Sequence, residues 1–245
     1  MLSPVDGGRT KEICRYLGYG SRIPDPCILS EIEEAEKLLL PLISRKEIHR
    51  TFPLASADDG SVRIGDAPAP GKALSRVLTG CEQAVLMAAT IGFAPDRLAK
   101  RAAASGKMSR ALVIGAVGSA LIEEWCDEVQ EMIREEAASY GLFIRPRFSP
   151  GYGDFSIHFQ KDLFRMLEVS KYTGITLTGQ GMMLPEKSVT AVIGLTRSDS
   201  RCPPAGCESC SRSADCSFCR VVPTSVGATR TCPAPSGACP TEGRV

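Results

Sequence analysis

The sequence predicts an α+β fold, a mainly antiparallel twisted sheet flanked by helices, and three observations carry that expectation. An apolar stripe at helical spacing runs through residues 107–139. Several short runs of strand character are interleaved irregularly with helical patterns, unlike the regular alternation of a parallel α/β protein. Past Arg197 the composition shifts abruptly, which bounds the folded body at residues 1–197.

Taken in order, Ser30-Glu31-Ile32-Glu33 reads as a capping box opening a helix that carries Ile32, Ala35, Leu38, Leu39 and Leu42, with Pro41 ending or kinking it. Residues 48–54 and 61–64 read as strands joined by an Asp58-Asp59-Gly60 turn. The continuous apolar run at 83–91 fits a buried central strand. Pro95 suits the first turn of a short helix that Gly106 closes. In the long helix at 107–139, Ile114, Gly118, Leu121, Trp125, Val129 and Met132 form the apolar stripe, and Gly115 and Gly118 suggest close packing. Residues 143–148 follow as a strand. Residues 157–169 make a second amphipathic helix with Leu163, Phe164 and Leu167 inward, and strands at 175–177, 182–184 and 189–195 complete the sheet.

The 245 residues balance 29 basic against 28 acidic side chains, which argues against a nucleic-acid footprint. No apolar run approaches the ~20 residues needed to span a bilayer, so no membrane partner is expected. The N-terminus lacks the apolar core of a signal peptide, which makes a cytoplasmic address the expectation. Two histidines and no Gly-x-Ser-x-Gly argue against hydrolase chemistry. Gly115-x-x-Gly118 falls inside a helix, so it is no phosphate loop.

Of the 11 cysteines, four (Cys14, Cys27, Cys81, Cys126) are scattered through the body and read as packing residues. The others lie beyond Arg197, where Leu, Ile and Met are absent and Phe218 is the only aromatic. Such a segment cannot bury a core of its own. Residues 198–220 hold Cys202, Cys207, Cys210, Cys216 and Cys219, including two Cys-x-x-Cys pairs. Thiolate-only ligation suits Zn²⁺ or an iron–sulfur cluster, with reduced, unligated thiols as the alternative. Residues 221–245 read as a flexible tail, and Cys232 and Cys239 within them as incidental.

The most informative stretch is Arg147-Phe148-Ser149-Pro150-Gly151-Tyr152-Gly153-Asp154. An arginine fork grips a carboxylate or phosphate bidentately. The Pro-Gly bend lets a ligand approach the main chain at Gly151, and Tyr152 adds an aromatic face with a polar tip. The plain alternative is a strand-to-helix turn with a solvent-facing arginine.

The run Arg147 to Tyr152 resembles the Arg-Pro-Ala-Pro-Gly-Tyr loop of the activation domain of cobalamin-dependent methionine synthase. The resemblance continues, in order, through Leu167-Glu-Val-Ser-Lys-Tyr-Thr-Gly-Ile-Thr-Leu-Thr178, Met182-Met-Leu-Pro185 and Ser188-Val189. It implies a stand-alone relative of that domain that binds S-adenosyl-L-methionine (AdoMet). Arg147 would meet the AdoMet carboxylate, the backbone at Ser149 would face the adenine, and Gly151 and Tyr152 would complete the loop. Glu124, in the acidic face formed with Glu123, Asp127, Glu128 and Glu131, matches the family's ammonium-binding glutamate; a solvated face is the alternative.

By the same resemblance, cobalamin would be carried by a partner, a corrinoid protein or a methionine synthase lacking its own activation domain. An electron donor such as flavodoxin or ferredoxin would allow inactive cob(II)alamin to be remethylated. This sequence carries no cobalamin-binding Asp-x-His-x-x-Gly motif, and the family's Asp-Trp-Thr-Pro-Phe-Phe opening and the tyrosine pair after its Asp-Ser have no counterpart here. Two rival readings stay open: a cysteine-ligated redox or metal module, and a docking subunit that works without AdoMet.

Overall fold

The computed structural model describes residues 7–20, 22–56 and 61–198. Its elements run α1 (Gly7–Tyr16), α2 (Pro26–Leu39), β1 (Lys46–Ser56), β2 (Val62–Ile64), β3 (Ala67–Ala69), α3 (Lys72–Val77), β4 (Gln83–Thr90), α4 (Ala94–Ala104), α5 (Met108–Ser139), β5 (Phe143–Ile144), α6 (Phe159–Leu167), α7 (Val169–Thr173), β6 (Thr176–Leu177), β7 (Met183–Leu184) and β8 (Ser188–Thr196). Six strands form one antiparallel sheet in the order β3-β2-β1-β4-β8-β5, and β6 pairs with β7 as a separate ribbon. The α+β expectation holds. Every residue of β4 except Gln83 is buried, as its unbroken apolar run requires.

The described residues divide into two compact units. The first comprises the chain up to Ile48, Ala88–Glu128 and Val169–Val189. Ile13, Ile32, Leu39, Ile91, Ile114 and Leu121 are fully or almost fully buried there. The second comprises His49–Met87, Val129–Glu168 and the chain from Thr190, and buries Ile64, Leu74, Leu86, Met87, Ile133 and Phe155.

Several local expectations need correction. Ser30 is no N-cap: α2 opens a turn earlier, with Asp25 in the capping position and Pro26 at the first helical residue, where its fixed φ and missing N–H cost nothing. Leu38 and Leu42 are exposed, leaving Ile32, Ala35 and Leu39 to bury the helix. In α5 the stripe turns from Met132, which is exposed, to Ile133, which is buried, because Val129 and Ile133 are one full turn apart. The strand expected at 143–148 is regular only over Phe143–Ile144. The helix expected at 157–169 breaks at Glu168, whose left-handed backbone (φ 52°) separates α6 from α7. Of the body cysteines, Cys14 and Cys126 are buried as packing residues are, but Cys27 is exposed.

The two helix glycines also part company. A Cβ on Gly118 would come within 3.0 Å of Pro95 and 3.3 Å of the Lys187 stem, so close packing explains that glycine. A Cβ on Gly115 would meet nothing within 4 Å. Open space, not packing, lies beside it.

Candidate functional site

In the second unit, the segment after β5 stays beside β8 through alternate hydrogen bonds. Arg145 donates its N–H to Gly194 O (2.8 Å), and Phe148 exchanges two 2.8 Å backbone bonds with Val192. Between these bonds Pro146 and Arg147 stand opposite the single residue Ile193, a bulge at the sheet edge, where a proline without an N–H is tolerated. The extra residue ends the regular pairing and leads the chain into the Pro150-Gly151 turn.

The turn is tied down at most of its residues. Pro150 is buried, and Gly151 adopts φ 96°, a backbone region that favours glycine. Its N–H donates to Phe155 O at 2.8 Å, and Phe155 N–H returns a 3.0 Å bond to Tyr152 O. Tyr152 N–H donates to Ser149 O at 3.3 Å. The Phe155 side chain, only 1% exposed, lies between Phe148 and Phe159 at ring-centroid distances of 6.1 and 5.1 Å.

Asp154 closes the loop. Its Oδ2 accepts from Lys72 N–H (2.8 Å) and its Oδ1 from Ala73 N–H (2.9 Å), so a residue 82 positions away caps the start of α3. Hydrogen bonds from Ala73 and Lys72 hold the carboxyl below the ordinary aspartate range. Gly71 permits the approach, because a Cβ there would stand 3.1 Å from Phe155 Cα. The sequence names Asp154 as part of the motif but cannot show this role, since its partners are distant backbone groups.

Arg147 is half-buried at the head of the turn and donates Nη1 to Gln130 Oε1 at 3.4 Å. Ser149 and Tyr152 are half-buried and Gly151 exposed. The structure thus brings Arg147, Ser149, Gly151 and Tyr152 together on one anchored turn.

Glu124 belongs to the first unit and has a different engagement. Arg9 donates to it through Nε and Nη2, at 2.9 and 2.8 Å, in a bidentate pair. Arg9 also donates Nη1 to Glu36 at 3.3 Å. Burial opposes the Arg9 charge, and the bonds to Glu124 and Glu36 outweigh it, so Arg9 is held above the usual arginine range. Glu128 pairs with Arg45, which also lies over the Trp125 ring.

Cys202, Cys207, Cys210, Cys216 and Cys219, with the tail expected at 221–245, lie outside the described residues. Among the described residues no group of three or more His, Cys, Asp or Glu is arranged to hold a metal ion, and no helix is long and apolar enough to cross a membrane.

Residues 78–201 match the family model "Vitamin B12 dependent methionine synthase, activation domain". The chain belongs to that family. The fold agrees: the solved "Crystal Structure of the MetH Reactivation Domain bound to AdoHcy" is similar at a TM-score of 0.57 and 18% identity, over 79% of this chain and 76% of that one. No curated protein matches the chain. The family match includes the whole Arg147–Asp154 turn and excludes α1 and α2, which supply Arg9 and Glu36.

Proposed function

We propose that this activation domain binds AdoMet on the Arg147–Tyr152 turn and serves the reductive remethylation of cobalamin held by a corrinoid partner. The observation that carries the proposal is the anchored turn itself, which presents a half-buried arginine beside a glycine-opened backbone. The family match and the likeness to a reactivation domain solved with AdoHcy support the ligand class.

The donor set fits. The Arg147 guanidinium complements a carboxylate, and a fork already positioned by Gln130 loses less freedom on binding. Ser149 O has a second lone pair beside the one met by Tyr152 N–H and would accept from an adenine amino group. Gly151 N–H is spent on Phe155 O, so glycine's part is to keep the turn open rather than to donate. Glu124, engaged by Arg9, would meet an ammonium only as a shared carboxylate.

When bound, AdoMet supplies a methyl group to cobalamin that an external one-electron donor, of the flavodoxin or ferredoxin type, has reduced. The chain's own residues orient the ligand and leave the hard chemistry to the cofactors. The Cys202–Cys219 spacing supports a bound Zn²⁺ or iron–sulfur cluster as a further component, to be checked by metal analysis of anaerobically purified protein.

The test is calorimetric titration of AdoMet into the intact chain and into Arg147→Ala. Saturable micromolar binding that weakens at least about tenfold in the variant supports the proposal. Equal binding by both proteins, or none by the wild type, overturns it.

A further inference from the structure

The first unit contains a cavity of about 350 Å³ lined by Tyr16 and Leu17 after α1, by Leu112, Gly115 and Ser119 on α5, and by Lys187. The open space beside Gly115 belongs to it. We infer that this cavity binds a small carboxylate with an apolar tail, the carboxylate on Lys187 Nζ and the tail against Leu17 and Leu112.

The position of Lys187 is built. Its carbonyl accepts from Ile91 N–H (3.2 Å) and Thr90 Oγ1 (3.2 Å), which fixes its backbone. Gly118 leaves room for its stem, with Cγ and Cε at 3.3 Å from where a Cβ would stand. Its Nζ then donates to Ser119 Oγ at 2.9 Å. Ser119 gives its own proton to Gly115 O at 3.1 Å, so it meets Lys187 with a lone pair. A neutral hydroxyl takes one of three ammonium donors, and Lys187 makes no ion pair among the described residues.

A largely buried ammonium with no carboxylate in direct contact among the described residues is costly, and an anion in the cavity would relieve that cost. Burial pulls Lys187 below the usual lysine range, while Asp96 and Glu186 act on it in the opposite sense without pairing with it. Among the described residues Lys187 is the only basic side chain in the lining, which suits a monoanion; a phosphate dianion would call for a second cation. The hollow is open, with Leu112 65% exposed, so a tail would lie along Leu17, Leu112 and the bare face at Gly115 rather than be enclosed, and the volume lies at the small end of ligand cavities.

Hexanoate is the probe, titrated into the full chain by calorimetry and by chemical-shift perturbation, beside hexanol and inorganic phosphate. We expect millimolar or tighter hexanoate binding, at least about tenfold weaker for hexanol, for phosphate and in Lys187→Met. Gly115→Leu should fill the cavity and abolish binding while melting no lower than wild type, because leucine is a better helix residue than glycine. Absence of hexanoate binding, equal affinity for hexanol or phosphate, or undiminished binding in a folded Gly115→Leu protein would overturn the assignment.

Discussion

Replacing Phe155 by leucine should damage the proposed ligand turn without touching any residue proposed to meet the ligand. Phe155 is buried between two rings, at 6.1 Å from Phe148 and 5.1 Å from Phe159, and its backbone makes the 2.8 Å and 3.0 Å bonds that close the turn onto Gly151 and Tyr152. Leucine keeps most of the apolar volume but loses both aromatic pairs. Each such pair is worth about 0.5–1.5 kcal/mol beyond its buried area, so the loss is about 1–3 kcal/mol. In a protein of this size that lowers the melting temperature by about 2–12 °C. If the rings order the turn, the same free energy reappears as ligand affinity, and AdoMet binding weakens between about fivefold and about a hundredfold. Differential scanning calorimetry reads the first effect and isothermal titration the second. A variant that melts like wild type would refute the packing argument. One that melts lower yet binds AdoMet with unchanged affinity would show that the turn is organised by something other than Phe155.

Three further substitutions test the surrounding structure. Gly194→Ala puts a Cβ 2.6 Å from Cys81 Sγ and 2.9 Å from Leu78 Cδ2, so urea titration should show a loss of about 1–3 kcal/mol, partly restored by adding Cys81→Ala. Arg9→Met strands the carboxylate of Glu36, which is 1% exposed, and should cost about 3–5 kcal/mol; Glu124→Gln, at a half-exposed carboxylate, should cost clearly less in the same assay. Asp96 is raised above the ordinary aspartate value of 3.8 chiefly by burial, with the Glu186 N–H bond and two lysines opposing. Its contribution to stability is therefore present below that value and lost as pH rises through the raised one. Asp96→Asn keeps an acceptor for Glu186 N–H, so the variant should gain on wild type as pH rises from about 4 towards neutrality. An unchanging gap between their urea midpoints across that range would contradict the assignment.

Legibility in the sequence followed how local each cause was. The buried β4 strand, α5 and the Pro150-Gly151 bend are written in contiguous residues, and their outlines hold. Features decided by competition between neighbouring signals, or by distant partners, were not legible. Ser30 and Glu33 have capping-box spacing, but Pro26 starts the helix first. The 143–148 run has strand character, but Pro146 and Arg147 bulge opposite the single residue Ile193, a slip set by the pairing with β8. Asp154 caps a helix 82 residues upstream, and Arg9 draws Glu124 into a pair from 115 residues away. Gly115 and Gly118 look alike in sequence, yet only Gly118 faces a neighbour at close range.

These partners also define how the turn can recognise a ligand. The N–H groups of Gly151, Tyr152 and Phe155 are already committed to Phe155 O, Ser149 O and Tyr152 O. A main-chain cradle of the phosphate-loop kind, which needs several N–H groups aimed at the ligand, is therefore ruled out at these atoms. What the turn has to offer is the guanidinium of Arg147, the second lone pair of Ser149 O and the half-buried ring of Tyr152, held in a frame that has already met its ordering cost. A site with so few ligand-directed groups concentrates its selectivity in one charge. Under the proposed function, the rigidity supplied by Phe155 and Asp154 would let that single arginine act as an anchor rather than a mobile surface side chain.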